Sequence, residues 1–326
     1  MQIEISKECK LEYDKIAVFA TPAYLDFKGQ EYGYVYGIVD SNIVMYMAFI
    51  IKRKAIFCLA ECQTPVISLA EKNKAAISLF LENAVKELGR VYNVDFICQN
   101  PAYAIFETVP KGSIYTYFGS YICDLNNSEK ILWKKVHSKH RNVIRKALSE
   151  GLDVRFNKID IRSIFSMIKE TQERSGNGFI SAESFYNLKE SFGDKMDIVS
   201  VHKGDDMHGC AVIIHDQECA YYLYGGSAGK TSSGALNLLH WQAMLHYKSI
   251  GLKKYDFVGA RLSDHISDKL QGIQRFKSRF GGELYKGFLW KYVYKRHKYM
   301  LYKMICFIRN HKWDVDAIDE EHITDL

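Results

Sequence analysis

Only four prolines punctuate the 326 residues, and no low-complexity stretch separates them, so the sequence holds no proline-rich arm or extended linker. Long apolar runs are missing too. The longest uncharged one, Ile43 to Ile51, falls far short of the roughly 20 residues that span a bilayer and reads as buried strand. Met1-Gln2-Ile3-Glu4-Ile5-Ser6-Lys7 has no apolar core of the kind a signal peptide needs. Cys9, Cys58, Cys62, Cys98, Cys123, Cys210, Cys219 and Cys306 are scattered, with no second Cys/His pair at zinc spacing. The expectation is a reduced, cytoplasmic protein with no structural metal. No helical pattern sustains heptads, which leaves out a coiled-coil arm. Acidic residues are absent from Leu284 to Trp313, where Lys286, Lys291, Lys295, Arg296, Lys298, Lys303, Arg309 and Lys312 all occur. An acidic tail follows, with Asp314, Asp316, Asp319, Glu320, Glu321 and Asp325. Such asymmetry, in a chain of net charge +6, points to a polyanionic or membrane-surface partner.

What is present suits two domains of about 150 residues each, with an ordinary globular composition. Strand-like segments open the chain at Ile3–Ile5 and 15–19; Thr21-Pro22 then starts a short helix, Thr as N-cap and Pro at the first position. Strands over 32–39 and 43–57 flank Asp40-Ser41-Asn42, which carries hairpin chemistry. An amphipathic helix over 68–88 and a strand over 91–98 complete an α+β layer. Beyond a crossing strand at 115–124, Ser128 caps one basic helix over 129–150 carrying Lys130, Lys134, Lys135, Lys139, Arg141, Arg145 and Lys146. Arg141 and Arg145 share a face, either solvated or in contact with phosphate. Helices over 161–174 and 184–192 and a hairpin over 196–215 lead to the segment around which the rest is organised.

That segment runs from Ala220 to Gly282. A strand (220–224) meets the turn Gly225-Gly226-Ser227-Ala228-Gly229-Lys230-Thr231-Ser232-Ser233-Gly234, a helix from Ala235 to the residue before Gly251, and the strand Lys254-Tyr255-Asp256-Phe257-Val258-Gly259. A glycine-rich turn at a helix start is an anion site in form: free N–H groups and the helix dipole point the same way. Gly229-Lys230-Thr231 invites a P-loop reading, but the spacing fails, because Tyr224 stands where the first glycine belongs. A connection with no ligand remains the plain alternative. The segment closes on Gly272-Ile273-Gln274-Arg275-Phe276-Lys277-Ser278-Arg279-Phe280-Gly281-Gly282.

In this order Tyr224-Gly225-Gly226-Ser227, Leu239-His240-Trp241-Gln242-Ala243, Tyr255-Asp256-Phe257-Val258-Gly259 and Phe276-Lys277 with Phe280-Gly281-Gly282 resemble the second domain of the Fem family. These are aminoacyl-tRNA-dependent transferases that build peptidoglycan cross-bridges, relatives of the FemAB-like acyltransferases of the GNAT superfamily. Lys139-His140-Arg141-Asn142-Val143-Ile144-Arg145-Lys146-Ala147 is similar to a basic helix of the family, and Phe19-Ala20-Thr21-Pro22-Ala23-Tyr24-Leu25 resembles its first domain. Ile180-Ser181-Ala182-Glu183 stands where many Fem-like sequences carry a basic residue, which weakens the case for a UDP-linked muramyl-peptide acceptor.

The resemblance implies an α+β fold of two GNAT-like domains, each a mixed, mostly antiparallel sheet flanked by helices. The first would span 1–125 on the acceptor side and the second 126–290 on the donor side, with a basic-aromatic C-terminal helix over 291–326 packing back on the first. No Ser-His-Asp or Cys-His arrangement stands at recognisable spacing, so direct acyl transfer without a covalent acyl-enzyme is the expectation; the resemblance implies that Lys277 stabilises the developing charge. Asp256 is the candidate base, or a cap of its own turn. Gly229, Lys230, Ser233, Gly234, Arg141 and Arg145 are donor-side candidates; Lys28, Tyr224 and Arg279 are acceptor-side ones. Solvated or stem-packed roles are the plain alternatives for Lys28, Lys277 and Arg279. No cofactor is expected to be tightly bound. The co-substrate is aminoacyl-tRNA or acyl-CoA, although Lys230-Thr231-Ser232-Ser233-Gly234-Ala235 is only a degenerate version of the coenzyme A loop. The acceptor would be a lipid-linked or nucleotide-linked cell-envelope precursor. Two alternatives stay open: an acyl-CoA N-acyltransferase acting on an amino sugar or amino acid, and a non-catalytic protein binding RNA or a membrane surface.

Overall fold

The structure, a computed structural model, describes residues 1–29, 31–262, 267–310 and 316–322. Lys312, Asp314 and Asp325 of the predicted basic and acidic segments lie outside them. The described chain separates into two compact units, one of residues from 1–119, 261–262 and 286–322, the other of 120–260 and 267–285.

In the first unit the strands Gln2–Ser6, Glu31–Val39, Asn42–Lys54 and Phe57–Cys62 pair antiparallel in sequence. Phe57–Cys62 then pairs in parallel with Phe96–Ile97, which pairs antiparallel with the end of Glu283–Val293. Asp40 and Ser41 both take positive φ, 48° and 65°, the two-residue hairpin geometry that keeps strand twist. The long apolar strand is buried throughout Met45–Ile51, because both its faces are covered. The helix Lys74–Tyr92 packs Phe80, Leu81, Ala84 and Leu88 on one of them. It starts later than its apolar pattern suggests, at the point where Asn73 Oδ1 accepts from Ala75 and Ala76 N–H. The segment expected as a strand over 15–19 forms 3-10 turns instead. Thr21 sits at the cap of Pro22–Lys28, but its hydroxyl donates backwards to Val18 O.

The second unit is built in the same manner. Its sheet runs Leu152–Phe156, Met196–Lys203, Asp206–His215, Cys219–Ser227, Lys254–Asp256 and residues 120–124 of the strand Ile114–Asp124. Every pair is antiparallel except Cys219–Ser227 with Lys254–Asp256. The helices Ser138–Ser149 and Ala235–Ser249 cover one face, putting Ile144, Leu239, Met244 and Tyr247 against Val199, Ala211, Ile213 and Tyr255. Ile161–Arg174 packs against Cys219–Ser227, with Ala182–Phe192 beside it. Both units are therefore mixed, mostly antiparallel sheets flanked by helices.

The basic helix expected over 129–150 is two helices, Glu129–Lys135 and Ser138–Ser149. Arg141 Nη1 donates to the carbonyls of Trp133, Lys134 and Val136, closing the end of the first, and His137 Nδ1 caps the second. The aromatic-basic segment past 284 begins as strand, and its helix spans only Arg296–Asn310.

That helix is tied to the first unit by charge. Asp95, fully buried, accepts from Lys295 Nζ (2.8 Å), Lys298 Nζ (3.1 Å) and Cys58 N–H (2.8 Å). Burial alone would raise its carboxyl pKa, but these partners hold it below the ordinary aspartate value. The stabilisation is therefore present above the unfolded pKa near 3.9 and is lost as pH falls through the lower folded value. Asp95→Asn should cost on the order of 3 kcal/mol near neutral pH, measured by urea unfolding. The gap from wild type should close in acid, and equal stability at pH 7 would refute the assignment.

Candidate active site

The parallel strands Cys219–Ser227 and Lys254–Asp256 pair only through Cys219/Lys254, Ala220/Tyr255 and Tyr221/Asp256. Beyond that point the first strand continues beside Asp206–His215, while the chain after Asp256 turns away. Val258 and Gly259 take positive φ, 43° and 80°. For a β-branched residue this is a strained conformation that its surroundings must impose. Two side chains impose it. Asp256 Oδ1 accepts from Val258 N–H (2.8 Å) and from Ser120 Oγ. Lys277, on the helix Asp268–Ser278, donates through Nζ to the carbonyls of Val258 and Gly259, the latter at 2.8 Å. A carboxyl group and an ammonium thus grip one turn from opposite ends.

Burial pushes the Lys277 ammonium down to about 8, and the Asp256 charge offsets part of that fall. Asp256 itself is pushed up by burial, against the pull of Ser120, Val258 N–H and Lys277. His240, in the middle of Ala235–Ser249, bonds Tyr255 OH through Nδ1 at 2.9 Å. The rings of Tyr222, Phe257, Phe276 and Phe280 pack around it with centroids 4.5–5.7 Å away. Burial first, then the Lys277 charge, lower His240 to about 3. Burial lowers His140 to about 4, and its Nε2 lies 3.1 Å from Phe276 O. Both imidazoles are consequently neutral near pH 7, and the lysine sits at the edge of a water-poor aromatic box. An ammonium has three donors and the two carbonyls use two. The third can serve an oxyanion, in surroundings where charge acts strongly.

The structure brings Lys277, Asp256 and Arg279 together on adjoining segments; Arg279 ends the lysine's helix, its carbonyl accepting from His137 N–H at 2.8 Å. Tyr224 is half-buried against Phe179, centroids 5.2 Å apart, and burial raises its phenol. A register shift in the strand separates it from Tyr222. Gly229, Lys230 and Ser233 are exposed in the turn. Gly234, at φ 80°, starts the helix so close to Ser138–Ser149 that a Cβ there would stand 2.2 Å from Val143 O. Ser232 N–H is taken by His208 Nδ1 at 3.1 Å, which leaves fewer free donors than the turn's sequence suggests.

Gly225 and Gly226 belong to the strand, not to the turn. A Cβ on Gly225 would overlap Tyr222 OH at 1.8 Å, and one on Gly226 would press on the Met167–Ile168 backbone at 3.0 Å. The chain's own packing closes both positions to a side chain. Arg141 spends one nitrogen on three helix-end carbonyls, whereas Arg145 is exposed with its guanidinium 5.4 Å from the Trp133 ring centre. Lys28 lies in the first unit, where burial lowers its pKa and Glu61 raises it; Glu61 in turn pairs with Lys52 at 2.8 Å. That unit also holds a cavity of about 210 Å³ lined by Phe96, Lys291, Tyr299 and Tyr302 among others, and none of the candidate residues line it. His240, Tyr222, Tyr255, Ser120 and His208 carry no role in the sequence reading. The available signal was a histidine inside the apolar run Leu238–Trp241.

Residues 134–278 match the family model described as an acetyltransferase (GNAT) domain. Among solved structures the fold is similar to FemX, with TM-score 0.69 at 14% identity over 92% of this chain and 99% of that one. It is also similar to L-PGS from Bacillus licheniformis, with TM-score 0.50 at 11% identity over 83% and 86% of the two chains. No curated protein sequence matches the chain.

Lys277 should titrate near 8, and Asp256→Asn should move it lower still by removing the charge that favours the ammonium. Nitrogen-detected NMR of the lysine Nζ resonances, assigned with Lys277→Arg, measures both. A Lys277 value of 10 or above, or an upward move in Asp256→Asn, would contradict the described geometry.

Proposed function

We propose, for a chain that carries a GNAT acyltransferase domain in a FemX-like fold, that it moves an aminoacyl group from aminoacyl-tRNA to an amine of a peptidoglycan precursor in the cytoplasm. The observation that carries this reading is the placement of positive charge. Lys130, Lys134, Lys135, Lys139, Arg145 and Lys146 are exposed on the helix pair Glu129–Lys135 and Ser138–Ser149; Glu150 lies 3.7 Å from Lys146, and the Lys135 charge is felt by Asp124. That pair is joined to the catalytic candidate's helix by one backbone and one side-chain contact: His137 N–H donates to Arg279 O, and His140 Nε2 meets Phe276 O. A surface fit for RNA phosphates and the lysine end are therefore one block.

In the proposed reaction the neutral amine attacks the ester carbonyl and a C–N bond forms. The oxyanion is held by Lys277. Collapse breaks the bond to the ribose oxygen, which leaves with a proton, while the amine sheds one. Asp256 holds the turn through Oδ1, which accepts from Ser120 and Val258, and its second oxygen is the candidate acceptor for that proton, on a carboxyl that burial raises above the ordinary aspartate value. Acyl-CoA as donor, with an amino sugar or amino acid as acceptor, is a second reading favoured by the description of the matched family as acetyltransferases.

Lys277→Met should reduce turnover at least tenfold with the fold intact. It should also erase the fall in wild-type rate expected as pH rises through about 8, where the ammonium loses its charge; unchanged turnover would remove Lys277 from the reaction. Titration with a mixed pool of charged tRNA should give binding that weakens steeply with salt. The triple change Lys139→Gln, Arg145→Gln, Lys146→Gln should flatten that slope by about two to three. Coenzyme A binding with negligible tRNA affinity would favour the second reading.

A further inference from the structure

The helix Arg296–Asn310 turns one side to its own unit, and among the described residues its other side is uncovered. On the inner side Tyr299 and Tyr302 pack their rings on Phe96 and Phe57, at 5.0–5.4 Å. The inward lysines are neutralised there: Lys298 on Asp95 at 3.1 Å, Lys303 on Asp319 at 3.3 Å. On the outer side Met300, Leu301, Met304, Ile305 and Ile308 are 62, 38, 49, 46 and 69% exposed. Residues 300, 304 and 308 form one row along the helix and 301 and 305 the adjacent row, so the apolar groups are contiguous. Lys298 Nζ donates to Ile56 O at 2.8 Å, which sets the hairpin residue Ile56, 61% exposed, beside the start of this face. Scattered exposed leucines need no explanation, but an ordered apolar stripe of this extent marks a contact surface.

Charge selects the partner. The exposed cations Arg296 and Arg309 stand at the two ends of the stripe, and the helix sequence contains no Asp or Glu. Two copies packed through this stripe would bring arginines to arginines with no carboxylate on either helix to pair them. An acidic lipid headgroup layer pairs them, and the acyl boundary beneath accepts the methionine, leucine and isoleucine side chains. At 1.5 Å per residue the helix is about 22 Å long, and no described helix is long and apolar enough to cross a membrane. It would lie in the interface plane.

We propose that this face docks the protein on an anionic lipid surface, with Met300, Leu301, Met304, Ile305 and Ile308 entering the headgroup–acyl boundary and Arg296 and Arg309 contacting lipid phosphates. The inference stands on the C-terminal helix alone and is independent of the transfer reaction.

The test is co-sedimentation of the full chain with vesicles of phosphatidylglycerol and phosphatidylcholine, and with phosphatidylcholine alone. Wild type should partition onto the anionic vesicles and at least tenfold less onto the neutral ones. Met304→Asp with Ile308→Asp should lower anionic partitioning at least tenfold. Arg296→Gln with Arg309→Gln should chiefly remove the preference between the two vesicles. All four side chains face solvent, so thermal melts should match wild type and separate lost docking from lost folding. No partitioning of wild type, or unchanged partitioning of the Met304/Ile308 variant, overturns the proposal. A micromolar self-association in sedimentation velocity, abolished by that variant and unaccompanied by vesicle binding, overturns it in favour of a second copy.

Discussion

Once two hydrogen-bonded strands part, every backbone group beyond the fork needs another partner. Here the fork lies just past Tyr221 and Asp256, and the carbonyls of Val258 and Gly259 find theirs in Lys277. The ammonium is held where the sheet opens, and the same bonds that position it keep a strained valine in place. Chemistry and architecture therefore draw on one side chain. The aromatic box follows from the same fork: with no strand filling the gap, Tyr222, His240, Phe257, Phe276 and Phe280 close it. His240 must then be neutral, since a charged imidazole in that setting would be unpaired.

The sequence made the pattern of layers legible because each strand and helix announced its own period and its own turn chemistry. Asp40-Ser41 carried the hairpin, and the run through Met47 and Phe49 carried a strand buried on both faces. Failures share one cause, namely that contacts far away in sequence overrode a local preference. Nothing near Val136 says the basic helix should break; Arg141 reaching back to three carbonyls breaks it. Gly225 and Gly226 look like turn residues, and only the neighbouring Tyr222 hydroxyl and the Met167–Ile168 backbone explain them. In the site, Lys277 stood out through a resemblance but its carbonyl partners did not, whereas Asp256 reads in the sequence as a cap of its own turn and does take Val258 N–H. The turn they share is created by positive φ at Val258, which no β-branched residue advertises.

Positive charge in the sequence proved to be of two physical kinds. Lysines at 291, 295, 298 and 303 are matched by Asp95, Asp316 and Asp319, so they are internal ties whose field is largely cancelled. Those of the 129–149 helices face solvent with little opposition. Counting charge along the chain gives both segments equal weight as surfaces for a polyanion; burial and pairing separate them.

The ties at Asp95 also bear on the order in which the chain can be completed during synthesis. Asp95 is fully buried in the finished unit, and its cationic partners lie some two hundred residues downstream, at Lys295 and Lys298. Until those residues leave the ribosome, the Asp95 carboxylate has only Cys58 N–H of its three partners. The intervening unit, 120–260 with 267–285, becomes available earlier. The segment translated first thus reaches its final packing only after residues 295–298 have been added.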